Sequence, residues 1–134
     1  MLKSLFAILL IAHGLVHAGL AAAPIPNDPD PKPGAFFTAI ERSWLLPKLG
    51  MNGSTIQWIG IILVVLATLG FVLAGLGGLG VPGLNAVWQT LAVFSACVSL
   101  LLLILFWHTW LVVGVLIDIG ILVALLWAKW PPEM

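Results

Sequence analysis

Three ionisable side chains stand inside long apolar stretches of this chain, where a charge is expensive: His13, His17 and Asp118. His13 and His17 are four residues apart, so on a helix they share one face. That spacing can chelate a metal, but two imidazoles are an incomplete set for zinc, which takes three or four protein ligands. His108 is a poor third ligand. It falls at the end of an apolar segment, roughly 9 Å in depth from His17 and 15 Å from His13 by helical rise. A haem bridging two helices would need an axial His from another span, and no other span offers one, leaving only a single-His haem. Asp118 with His13 is an acid–base combination in principle, with Thr68, Ser95 and Ser99 as hydroxyls within apolar sequence. The plainer reading, a hydrogen-bonded structural set, is preferred over metal or haem, and no cofactor is expected.

The elements that must position these groups are legible from what is missing. No Lys, Arg, Asp or Glu occurs between Lys48 and Asp118. A membrane crossing needs about 20 apolar residues, so that silence accommodates several. Hydrophobic residues make up 62% of the chain and charged residues 7%, against a soluble norm of about 45–50% and about 25%. Such a chain cannot cover a water-exposed surface. The formal net charge is zero, which leaves no basic field for nucleic acid. Cys97 is the single cysteine; it has no intramolecular disulfide partner and reads as a packed thiol in an apolar run. No Gly-rich phosphate loop, Ser-His-Asp arrangement or Cys pair is present.

Four spans can be drawn, at about 5–23, 54–76, 85–107 and 109–128, in a single membrane domain comprising the whole chain. Each must be a helix, because a lone strand cannot satisfy its backbone in lipid. Ser54 and Gln57 fit a capping box at the start of the second span. The Gly- and Pro-rich run from Gly75 to Gly83 ends that span, and Asn85 can cap the third. The junction Trp107-His108-Thr109-Trp110 has neither Gly nor Pro, yet a turn is required there. One straight helix over 86–128 would be about 65 Å long, about twice the hydrocarbon thickness. Trp44, Trp58, Trp107 and Trp110 mark one membrane face and Trp88, Trp127 and Trp130 the other, as indoles anchored at headgroup level would. The expected fold is therefore an all-α integral membrane protein, a four-helix antiparallel bundle.

The remaining loop, 24–53, opens with Pro24, Pro26, Pro29, Pro31 and Pro33, which predicts an extended polyproline-type strut. A short amphipathic helix is expected at about 35–46, with Phe36, Ile40 and Trp44 on one face. The first span imitates a signal peptide, but its two histidines and Pro24 favour a retained helix. Lys3 and Lys129 lie on one side, and Lys32, Arg42 and Lys48 on the other. That count slightly opposes cytoplasmic termini, but a short Lys-bearing start to an export-directed first helix leads to the expectation that both termini are cytoplasmic.

Small residues show where helices approach each other. Gly14 and Ala18, Gly70 and Ala74, Ala92 and Ala96, and the series Gly120, Ala124, Ala128 repeat at four-residue spacing and are candidate packing or partner faces. Around the first pair, the octet Ala12-His13-Gly14-Leu15-Val16-His17-Ala18-Gly19 resembles the DoxX-like group of small bacterial four-helix membrane proteins. Their first helix carries a similar His-Gly-Leu element, and their second is Gly-rich, as Gly60, Gly70, Gly75 and Gly77 are here. The chain departs from that group where a Lys usually follows and His17 stands instead, in its Pro-rich loop, and in Asp118. The resemblance implies a small bundle of the bacterial inner membrane, associated with respiratory or thiol-redox membrane complexes, and transfers no catalytic residue.

Three functions follow as expectations. The first is an accessory or stabilising subunit without catalysis of its own, partnered by the bilayer and by another membrane protein or a second copy. The second is a transporter or proton-conducting element using His13 and Asp118. The third is a haem- or metal-holding redox subunit using His13 and His17. One structural expectation is sharper. His13 lies ten residues before Ala23, and Asp118 nine after Thr109, on the same membrane face. Both are then about 14–15 Å deep, so Asp118 is expected to turn inward and meet His13, with His17 one turn shallower.

Overall fold

The structure, a computed structural model, describes residues 1–31, 34, 36 and 43–131. Among the described residues every regular element is helical, and four helices are long and apolar enough to cross a membrane. Helix α1 is Leu2–Ala22, α2 is Gly53–Gly78 and α3 is Trp88–Leu105. The fourth span, Thr109–Trp127, comprises a 3₁₀ turn at Thr109–Leu111, helix α4 at Val112–Leu122 and a π-helical turn at Val123–Trp127. Consecutive helices pack side by side, giving a multi-pass membrane bundle with large apolar side chains such as Ile62, Leu69, Leu116 and Leu126 facing outward.

The helix ends show local chemistry that differs in part from expectation. The N-cap of α2 is Asn52, whose side chain accepts from Thr55 N at 2.8 Å, rather than Ser54. Asn52 stands three residues before an available N–H, so it captures the helix start one residue upstream of Ser54. Asn85 does not cap α3. Gly80 at φ 96° and Gly83 at φ 83° coil the chain through successive turns, and the helix starts only at Trp88. The glycine-free junction turns by other means: His108 takes an extended conformation, and its Nδ1 accepts from Trp110 N at 3.1 Å. The residue considered as a distant ligand is thus the cap of the fourth span.

The Pro-rich segment is not a continuous strut. Asn27 adopts φ 62°, Asp28 N donates to Ile25 O, and Asp30 N donates to the Asp28 carboxylate. Pro26 and Asn27 take the two central positions of this turn, where proline at the first and a residue that tolerates positive φ at the second are favoured. Most of the amphipathic helix expected at about 35–46 lies outside the described residues. Its last part is a bend running into a short 3₁₀ helix, Leu46–Leu49. Phe36 is buried beside the His108 ring, and Trp44 Nε1 donates to Ile104 O at 2.7 Å. That bond occupies one of the carbonyls the last turn of α3 leaves open.

Two further readings need correction. Trp88 is buried, not a surface anchor: Phe6 packs edge-on to it and Lys3 lies over its ring. Cys97 is exposed rather than packed, because α3 turns Ala92, Ala96 and Ser99 inward and Cys97 falls on the outer side.

Candidate functional site

α1 carries both histidines on its inner face, and their rings meet edge-on at 4.8 Å between centroids. Phe71 of α2 packs against both. Gly14 makes this possible: a Cβ there would stand 2.9 Å from Phe71 Cβ and 3.1 Å from Thr68 O, so only glycine lets α1 lie this close to α2.

From α4, the fully buried Asp118 reaches His13, with 2.9 Å between Oδ1 and Nε2. Its other oxygen, Oδ2, is 2.5 Å from Ser99 Oγ of α3. Ser99 Oγ in turn is 2.6 Å from His17 Nε2, and His17 Nδ1 is 2.9 Å from the His13 carbonyl. One closed network therefore ties α1, α3 and α4 together. Ser99 is its third helix's contribution. Of the other two hydroxyls considered, Ser95 donates back to Leu91 O, and Thr68 Oγ1 is sealed without a partner.

The proton inventory of this network is constrained. A carbonyl only accepts, so His17 Nδ1 carries a hydrogen and donates to His13 O. If Asp118 donated from Oδ1 to a bare His13 Nε2, the one Ser99 hydrogen would have to serve both Oδ2 and His17 Nε2 unless His17 were charged. In the neutral, fully bonded network His13 Nε2–H therefore donates to Asp118 Oδ1. Ser99 has a single hydrogen for two neighbours. Either it donates to a carboxylate Oδ2 and accepts from a doubly protonated His17, or it donates to a neutral His17 and accepts from a protonated Asp118. Both arrangements leave every contact satisfied and the cluster without net charge. They differ by a short concerted shift of two protons across Ser99.

The ligand atoms of His13, His17 and Asp118 lie within 4.8 Å of one another, so folding adds a third donor to the histidine pair. The donor types suit a borderline divalent ion. The Ser99 hydroxyl, however, already bridges His17 Nε2 and Asp118 Oδ2, so a metal bound by all three residues would have to break that bridge.

Beside the network lies a cleft. The backbones of α1 and α4 close the ring of helices without the intimate approach of the other neighbouring pairs. The seam between them encloses about 280 Å³, walled by Leu9, Val16, Leu103, Trp110, Val113 and Ile117, with His13 and His17 as its polar lining. Gly114 also borders it.

The small-residue faces divide. Gly70, Ala74, Ala92 and Ala96 are buried in the bundle, and a Cβ on Gly70 would collide with Ser95 Oγ. Ala18 is exposed, because the contact begun at Gly14 ends as the helices diverge. Gly120 and Ala128 are exposed and Ala124 is half-buried, and Gly120 borders an open hollow whose far wall is Leu5, Phe6 and Leu9 of α1. No known protein family, curated protein or solved structure matches the chain. The likeness to the DoxX-like group thus has no support from any matching family, protein or structure.

Proposed function

We propose that this chain is a non-catalytic binding subunit of the membrane, taking a lipid-soluble small molecule sideways from the bilayer into the α1–α4 cleft. The observation that carries this reading is the cleft itself. It is apolar along its walls, polar only at His13 and His17, and close in size to the smaller ligand sites of proteins, about 300 Å³. The polar end belongs to a network whose internal contacts are complete, so the site is pre-organised. A bacterial inner membrane with cytoplasmic termini is the setting this proposal assumes.

The test is retention. The full chain is extracted directly into lipid nanodiscs, and its lipid-soluble contents are compared by mass spectrometry with those of Gly114→Leu. A Cβ at Gly114 would meet only the flexible tip of Leu103 at 3.0 Å, so the larger side chain fills the cleft without touching backbone. A compound enriched with the native chain and lost in the variant supports the proposal. Identical contents overturn it. The same sample answers the redox alternative, since a Soret band or stoichiometric metal would replace this reading with a haem or metal subunit.

An accessory role in a larger complex is supported by α4. Only 17% of the best window of the fourth span is buried, against 33–44% for the other three. The exposed Gly120 and Ala128 offer a partner helix close backbone approach. Binding in the cleft and docking through α4 use different depths of that helix, the cleft at Val113, Gly114 and Ile117 and the small residues from Gly120 onward.

A further inference from the structure

Among the described residues, one polar atom of the network has no hydrogen-bond partner: His13 Nδ1. The His13 side chain is only 3% exposed, and its ring lines the cleft. Thr68 Oγ1 is the one fully sealed side-chain polar atom left unpaired, so Nδ1, equally unpaired, is not sealed. The space it reaches is the cleft. The proton inventory then gives its character. In both neutral arrangements of the network, Nε2 carries the His13 hydrogen and donates it to Asp118 Oδ1. Nδ1 is therefore a bare lone pair. Making it a donor would require either a second proton on His13 or the other His13 tautomer facing a protonated Asp118. Each puts net positive charge into a hydrocarbon-walled cleft or breaks a contact at Ser99.

We infer that the α1–α4 cleft selects a lipid-soluble molecule bearing a hydroxyl group, whose O–H donates to His13 Nδ1. This inference rests on the cleft being a binding site and adds the head-group chemistry. A buried acceptor left unpaired loses its hydration without compensation, so an apolar ligand with no donor leaves that penalty standing. A ligand with only an acceptor, such as a ketone or ether, sets lone pair against lone pair. An O–H satisfies the site and leaves the His13–Asp118 bond intact. The volume suits an aromatic alcohol with a short tail: a dry cavity of about 150 Å³ holds benzene, and this one is about 280 Å³.

The experiment uses two probes that differ only in the donor, 4-hexylphenol and its methyl ether 4-hexylanisole. Binding to the full chain in nanodiscs is measured against protein-free discs, to remove partitioning into lipid. The phenol is expected to bind at least tenfold more tightly than the ether, and to shift the ¹⁵N resonance of His13 Nδ1. Asp118→Asn should keep this preference. An Asn oxygen still accepts from His13 Nε2, and its amide can donate to Ser99, reproducing the arrangement with a protonated carboxyl. His13→Phe should erase the preference while still admitting the ether. Equal binding of both probes by the native chain, displaced by Gly114→Leu, would overturn the hydroxyl inference and leave the cleft as a binding site. Binding of neither probe above the lipid background would overturn both. Tighter binding of the ether would show that Nδ1 is a donor and reverse the assignment.

Discussion

Helix α1 faces two neighbours and is joined to them in opposite ways. Toward α2 the seam is closed by the absence of side chains. Cβ atoms on Gly75 and Gly78 would press into Ala7, at 2.6 Å from its carbonyl oxygen and 2.9 Å from its Cβ respectively. Toward α4 the seam is looser: the His13–Asp118 bond spans its middle, Phe6 packs edge-on against Trp130 at one end, and a cleft remains toward the other. Both solutions follow from the solvent. Lipid tails are as apolar as leucine, so burying apolar area does little to pull helices together. Close packing must come from backbone contact, which needs glycine, or from polar bonds, which hold at a point and leave the neighbouring space unfilled. A tight seam supports the fold, whereas a looser seam with one polar bond leaves room for a guest.

The largest effect should come from breaking the tight seam. Gly75→Leu places a side chain against the Ala7 carbonyl, where only backbone could move. It is expected to destabilise the bundle by about 3 kcal/mol or more, read as loss of the folded fraction in a detergent-denaturation titration. Gly114→Leu, on the looser seam, should shift the same titration by less than about 1 kcal/mol, because Leu103 can swing aside. Equal damage from both would mean the seams do not differ as described.

Next in size is the removal of the polar bridge. Asp118→Leu orphans His13 Nε2 and one side of Ser99 inside the bundle, an expected loss of about 1–3 kcal/mol. Asp118→Asn keeps both contacts and should stay within about 1 kcal/mol of native. If Leu and Asn behave alike, the hydrogen bonds do not hold the seam.

The bridge and one glycine of the tight seam, Gly14, could be read in advance, for reasons of geometry. Gly75 and Gly78 read as a helix stop, yet they lie within α2 and close the seam against Ala7. Rise per residue is fixed, so counting from the span ends put His13 and Asp118 at one depth, and their side chains lie 2.9 Å apart. Four-residue spacing placed Gly70 with Ala74 on one face. What counting cannot supply is rotation. Ser95, Ser99 and Thr68 were equivalent candidates, and only the phase at which α3 packs points Ser99 at His17 and leaves Thr68 sealed. The same missing phase misplaced Cys97 and Trp88. The cleft was invisible for a related reason: it is a space between helices, not a property of any one of them.

A smaller effect tests whether the network is three-way. Ser99→Ala removes the hydroxyl between His17 and Asp118 while leaving the His13–Asp118 bond. Interhelical hydrogen bonds in membranes contribute about 0.6 kcal/mol on average and about 1.7 kcal/mol at most, so a loss in that range is expected. Its effect combined with Asp118→Leu, which removes the same contact from the other side, should be non-additive. Strict additivity in that double variant would detach Ser99 from the network.

The smallest expected effect concerns Gly120 of α4, which borders an open hollow at the end of the loose seam. A Cβ on Gly120 meets nothing within 4 Å, whereas the glycines of the tight seam are all hemmed in. Within the isolated bundle, Gly120→Leu therefore has no clash to create. It replaces a residue that weakens helices by roughly 0.5–1 kcal/mol relative to alanine, so stability should be unchanged or slightly raised in the denaturation titration. Its consequence, if any, lies outside the chain. A glycine retained on a face that packs against nothing internal allows another backbone to approach, and leucine at that position would prevent it. The variant should then fold as well as the native chain yet lose any protein that co-purifies with it at defined stoichiometry in mild detergent. Measured destabilisation of the isolated variant would show that α4 uses this face within the bundle, and the contrast between a helix packed inward and a helix left open would fail.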